Sequence, residues 1–450
     1  GGPPPRLARP LVGTALTRRA LLLSSAAVGA AGCAVPWQPR DPRAPIYVPP
    51  VTTPVRFGPT WLRLVLSQEG QPALDAAVRD AVTQAARSLD YKVDLFDLQN
   101  LVGPAGESSP GAIARRLLVT VQAGLPPDGV LLLGRQAQTA RLQGMGLLQD
   151  VSGLMRTAKA RAGALPEAIE RQHFLRGTWF AAPLYQRLTG HRVRADVFAR
   201  AGLDPETATA TLGDLRASID RLGMGWGVAP EDTADADAWC WGVIHAFGGA
   251  LADRSGERVT LASPQTAAAL EWLVAAFRAL PGARGDAPYV YTEGSPPAGA
   301  SLVSGPAGPA QRPRAVGGGA VWVLPRGAPP DPVERLWEAL LQPDVQRRLW
   351  GAGAGFALPV FEGQWSDPAV AALPDQESVR RYRALLAPGG FISHAGQAGD
   401  PTPAAQVVEA ARLGVRMVRA ALGGRPIAEV LAAALGDAEA IYREHAFPEG

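Results

Sequence analysis

Hydrophobic positions alternate with polar ones over residues 61–67, WLRLVLS, and this pattern predicts a strand. Leu74, Val78, Val82, Ala85 and Leu89 follow at helical spacing. YKVDLFDL, residues 91–98, reads as a second strand. Ile113, Leu117 and Val121 then recur every four residues inside 110–124, which predicts a second helix. Pro126-Pro127-Asp128 breaks that helix. GVLLLG, residues 129–134, is a continuous apolar run, as expected of a strand buried on both faces. Strand, helix, strand, helix, strand means βαβ units and a parallel sheet.

Helical patterns dominate later. Ser263-Pro264 pairs an N-cap hydroxyl with Pro at the first helical position. Leu270, Leu273, Val274 and Phe277 line one face of the helix that follows. Val408, Ala411, Val415, Val418 and Leu422 form a single apolar stripe, stopped by Gly423-Gly424. Arg425-Pro426 opens a last helix through Ile427, Leu431 and Leu435. The chain shows no internal repeat, and it reads as α/β first and helix-rich last.

Composition alters this picture at the N-terminus. The chain has 450 residues and a formal net charge of +3. Arg6, Arg9, Arg18 and Arg19 all precede Cys33, in a stretch with no acid. Without that stretch 40 bases face 41 acids and the net charge is −1. The basic balance therefore belongs to a removable leader, and nothing electrostatic points to nucleic acid. Thr17-Arg18-Arg19-Ala20-Leu21-Leu22 resembles a twin-arginine export signal. The apolar run from Ala20 to Gly32 is too short to span a bilayer. Ala31-Gly32-Cys33 resembles the end of a lipoprotein signal, which implies residues 1–33 as leader and lipidation of Cys33. Residues 34–60 are dense in Pro and read as an extended tether.

Catalytic motifs are missing from the sequence. Neither lysine, Lys92 or Lys159, follows a glycine, so there is no Walker A loop. There is no G-x-S-x-G elbow, no HxxxH and no CxxC. The other cysteine, Cys240, sits between Trp239 and Trp241 and reads as a buried small hydrophobe. No enzyme, cofactor or metal site is expected.

Several segments together resemble the extracellular solute-binding proteins of ABC importers, in the large family that binds sugars. They are VQAGLPPDGVLLLG (121–134), GMGLLQDVSGLM (144–155), GTWFAAPLY (177–185), DVFARAGLDPETATATLGDLRASIDRL (196–222), AFGGALADRSGERVTLASPQTAAALEWLV (246–274), VGGGAVWVLP (316–325), LWEALLQPDVQRRLW (336–350) and GFALPV (355–360). Their order is that of the family. The resemblance implies a periplasmic-binding-protein-like α/β fold, with two lobes, a hinge and an interlobe cleft. It places 61–185 plus 318–348 in the first lobe and 186–316 plus 356–450 in the second. It implies a monomer outside the cytoplasm that delivers a small polar solute, a sugar by preference, to ABC permease subunits.

Ligand residues follow from positions within that frame. Aromatic faces suit the apolar side of a sugar, and amides and carboxylates suit its hydroxyls. Glu69 follows the first strand and Gln136 the third. Tyr185 follows the crossing motif. Trp239 and Trp241 are two apart on a helix, about 200° around its axis, so one is expected in the cleft and the other in the core. Gly318 and Gly319 fall where the family's backbone approaches ligand. Two departures stand out: Gly190-His191-Arg192 replaces an aromatic-Asn pair, and the stretch after Phe277 is short. They leave open a second reading, an interaction or sensing protein with an altered cleft on the same scaffold.

Overall fold

The computed structural model describes residues 61–68, 70–98, 110–134, 138–225, 227, 229–231, 233–279, 287–292, 300–310, 318–387 and 401–445. All of them belong to one compact unit of the chain, Pro45–Gly450. Eleven strands lie within these segments. They are β1 (Trp61–Leu66), β2 (Lys92–Asp97), β3 (Gly129–Leu133), β4 (Phe174–Leu175), β5 (Thr178–Trp179), β6 (Ala182–Arg187), β7 (Gly190–Arg194), β8 (Tyr289–Thr292), β9 (Ala300–Leu302), β10 (Ala320–Val323) and β11 (Ala357–Leu358).

The first sheet has six strands in the order β11-β6-β10-β3-β1-β2. The βαβ reading of 61–134 holds: β1 pairs in parallel with both β2 and β3. β3 is buried along its whole length, as its unbroken apolar run implies. β2 lies at the edge and alternates between exposed and half-buried positions. The helix Pro72–Ser88 covers this sheet with Leu74, Val78, Val82 and Ala85 on its buried face. β4 and β5 form a two-residue hairpin through Arg176 and Gly177, whose φ values of 50° and 82° give the left-handed turn such hairpins need.

The second sheet has three strands in the order β8-β7-β9, with both pairings antiparallel. Its core gathers the helices Ala234–Ala246, Pro264–Ala279, Leu413–Leu422 and Ile427–Glu444. Ser263 caps the second of these, accepting from the Thr266 amide at 3.2 Å. Cys240 is fully buried there, and burial raises its thiol well above the ordinary range. No helix among the described residues is long and apolar enough to cross a membrane.

Two boundaries differ from the sequence reading. The stripe from Val408 to Leu422 is two helices, Pro403–Ala410 and Leu413–Leu422. Arg412 divides them, with a left-handed φ of 51° that turns the chain. The segment after Phe356 also changes side. β11 pairs with β6 on the first sheet, and Phe361, Trp365, Val379 and Tyr382 pack in the first core. The apolar positions of 356–386 are filled from the six-stranded sheet, so this part of the sequence-assigned second lobe is built into the first core.

Candidate functional site

The chain passes from one sheet to the other within two residues. β6 ends at Arg187 and β7 begins at Gly190, leaving Leu188 and Thr189 between them. The Leu188 amide donates to the Phe356 carbonyl at 2.8 Å, which fixes the crossing to the edge of the first sheet. β10 is antiparallel to both β3 and β6, so β6 runs the same way as β1 and β3. Ser67, Gly134 and Leu188 therefore follow strands that end on one side of the sheet. In sheets of this kind ligands sit beyond that side.

Polar groups are buried along it. Gln186 has no exposed surface, and neither its amide oxygen nor its amide nitrogen has a hydrogen-bond partner. The Thr189 hydroxyl, on a residue 1% exposed, is also unpartnered, as is the Ser67 hydroxyl. Each such group costs about 1–3 kcal/mol when left unsatisfied. Their concentration at the strand ends and the crossing fits a site completed by water or solute.

The second sheet adds a buried polar chain. The Trp239 indole donates to the Tyr289 hydroxyl at 3.0 Å, and that hydroxyl lies 2.5 Å from His191 Nδ1. Burial pushes His191 down to about 4, so its ring is neutral. Burial pushes the Tyr289 phenol up, so it keeps its proton. Arg192 donates to the Leu188 carbonyl at 3.1 Å, and burial lowers it to about 10 against the opposing pull of Asp375. These groups are paired inside the protein and hold the helix Ala234–Ala246, β7 and β8 together, while Arg192 ties β7 back to the crossing.

A second junction links helices of two cores. Gln138, just before the helix Thr139–Gly144, donates to the Gln406 carbonyl at 2.9 Å. The Arg141 amide donates to Gln406 Oε1 at 2.8 Å. A Cβ on Gly144 would come within 2.6 Å of the Pro403 ring. Helices Thr139–Gly144 and Pro403–Ala410 thus interlock at close range.

The residues nominated from sequence scatter. Tyr185 is 1% exposed and packs in the first core. Trp239 and Trp241 both lie in the second core, each 1% exposed. Trp239 contacts the rings of Trp272 and Phe277, with centroids 6.1 and 5.5 Å away. Their helix is buried on nearly all sides, so pointing in opposite directions brings neither indole out. Gly318 and Gly319 serve strand packing. A Cβ on Gly318 would lie 3.0 Å from Gly134 Cα, and one on Gly319 would strike the Tyr185 carbonyl. Glu69, Gln136 and Cys33 lie outside the described residues.

The structure brings Tyr185 and Gly319 side by side, but only as backbone neighbours. The unpartnered Gln186 and Thr189 were missed. A signal existed: QRLTGHR, residues 186–192, sets polar side chains in a stretch that the flanking pattern treats as interior.

No family model matches the sequence, and no curated protein matches it. Solved structures do. The cyclic alpha-maltosyl-1,6-maltose binding protein of Arthrobacter globiformis is similar over 86% of this chain and 100% of its own, with a TM-score of 0.64 and 17% identity. UgpB of Mycobacterium tuberculosis, in complex with glycerophosphocholine, covers 85% and 98%, with a TM-score of 0.65 and 16% identity. An ABC transporter solute-binding protein of Agrobacterium radiobacter, in complex with ribitol, covers 85% and 99%, with a TM-score of 0.62 and 18% identity. The chain thus has the periplasmic-binding-protein-like α/β fold of the solute-binding proteins of ABC transporters.

Proposed function

We propose that this chain is the extracytoplasmic solute-binding component of an ABC importer. It captures a carbohydrate or similar polar solute between its lobes and delivers it to permease subunits, without catalysis. The fold supports this reading, as do the ligands named for proteins that share it: a maltosyl-maltose, ribitol and glycerophosphocholine. Each of those ligands carries hydroxyl groups. The observation that carries the proposal is Gln186, a fully buried amide with no partner at the chain crossing, three residues before Thr189, whose hydroxyl is also unpartnered. A solute hydroxyl can both donate to the amide oxygen and accept from its nitrogen.

In this reading the leader directs export, Cys33 carries the lipid, and the tether of 34–60 holds a monomeric binding body near the membrane. The test is a thermal-shift screen of the protein against monosaccharides, oligosaccharides, polyols and glycerophosphodiesters. A solute at a hundred times its Kd raises stability by about 2.7 kcal/mol. A shift in wild type that is absent in Gln186→Leu supports the assignment. No shift with any of these classes counts against it.

One observation favours the second reading, an interaction or sensing protein on this scaffold. Trp239 and Trp241 lie in the core, so neither offers an aromatic platform to a sugar ring. Binding of a protein partner in place of any solute would establish that reading.

A further inference from the structure

The first lobe holds a cavity of about 370 Å³. It opens between the helix Ser152–Ala162, the paired helices Pro330–Leu340 and Pro343–Ala352, and the short 3-10 turn Glu362–Ser366. None of its lining residues belongs to the chain crossing or to the Gln138–Gln406 junction. Its size lies within the range of small-molecule sites.

Three of the lining residues keep an unmet polar atom. Trp337 and Trp350 are each 1% exposed, and neither indole N–H has an acceptor. Gln346 has no exposed surface. Its amide nitrogen donates to the Leu340 carbonyl at 2.9 Å, while its Oε1 has no donor. Buried tryptophans ordinarily find an acceptor for the indole. Here two donors and one acceptor go unmet on residues that line one cavity, each atom lying just behind its surface.

Charge at the rim is balanced. Arg161 faces Glu338 at 3.7 Å, and Arg347 binds Asp367 at 2.9 Å. A ligand with net charge would have to break one of these pairs. Ala158, Leu341 and Pro343 give the remaining wall an apolar character.

We propose that this cavity is a second ligand site, separate from the crossing, for a neutral molecule with an apolar ring and carbonyl or hydroxyl groups. Once small side-chain adjustments bring these buried atoms to the cavity surface, its oxygens accept from Trp337 and Trp350 and a donor on it reaches Gln346. The site does not depend on the solute reading of the crossing.

The probes are benzamide and 4-hydroxybenzamide, titrated into the 15N-labelled protein. Indole N–H resonances are assigned with Trp337→Phe and Trp350→Phe. Saturable downfield movement of both resonances is expected, because each proton gains an acceptor. Thr157→Trp, at an exposed position on the cavity wall, should fill the mouth and weaken this binding at least tenfold while leaving the fold intact. Unmoved indole resonances up to the solubility limit would overturn the proposal. So would movement that Thr157→Trp leaves unchanged, since binding would then lie elsewhere.

Discussion

The indole N–H of Trp239 and the hydroxyl of Tyr289 meet at 3.0 Å across the second core, joining the helix Ala234–Ala246 to β8. That hydroxyl also touches His191 at the start of β7, so one phenol ties a helix to two strands. Trp239→Ala should therefore cost about 3–5 kcal/mol of stability, through cavity formation and a stranded phenol. Affinity of the folded fraction for solute should stay unchanged. Urea unfolding together with calorimetry on the same variant measures both. A stable variant with weakened binding would return Trp239 to the ligand site.

Gln186→Leu should act in the opposite sense. The substitution keeps a side chain of comparable bulk and removes a buried amide that has no hydrogen-bond partner. Stability without solute should stay level or rise by about 1 kcal/mol, while any solute-induced thermal shift disappears. A variant that is less stable yet still responds to solute would mean that the amide is structural.

Acid should destabilise the protein through two histidines. Burial holds His173 at about 3 and His191 at about 4, both below the ordinary value. The unfolded chain takes up these protons near pH 6.5 and the folded chain does not. Their contribution to stability is complete above pH 6.5 and is lost as pH falls toward 4, by about 1.4 kcal/mol per pH unit for each. Both ring nitrogens of His173 are unpartnered. His173→Leu should therefore match wild type at pH 7 and lose less stability by pH 5. Parallel curves for the two proteins would remove His173 from this account.

The junction between helices Thr139–Gly144 and Pro403–Ala410 should control how closely the two sheets' domains approach. Gln406→Ala deletes the side-chain acceptor for the Arg141 amide. Gly144→Leu drives a side chain into Pro403. X-ray scattering without solute should show a larger radius of gyration in both variants. An unchanged profile would mean that this contact is incidental to lobe position.

Cys33→Ala tests the lipid anchor. The variant should move from the membrane fraction to the soluble extracytoplasmic fraction. Retention of the variant on membranes would refute lipidation at Cys33.

Local patterns were legible wherever they were strongly periodic. The run GVLLLG announces a buried central strand because both faces of β3 are covered, and β3 is buried throughout. Ser263-Pro264 announces a helix start because capping depends on chemistry within a few residues. The break at Arg412 was hidden, because the stripe of Val408, Val415 and Val418 continues in phase across a left-handed residue. The motif order led to the right fold, since order survives where single motifs are weak.

The site resisted sequence reading for a different reason. Trp239 and Trp241 look like ligand aromatics in one dimension, and their fate depends on what covers the far side of their helix. That cover comes from Trp272, Phe277 and Gly414, up to 173 residues away in the chain. Gly318 and Gly319 are explained by Gly134 and Tyr185 on neighbouring strands. Gln186 becomes notable only when the folded chain buries its amide without supplying a partner. Alternation, capping and motif order are written locally, because they arise from backbone geometry and nearest neighbours. Burial and hydrogen-bond satisfaction arise from contacts between distant segments, and only the assembled sheets and helices decide them.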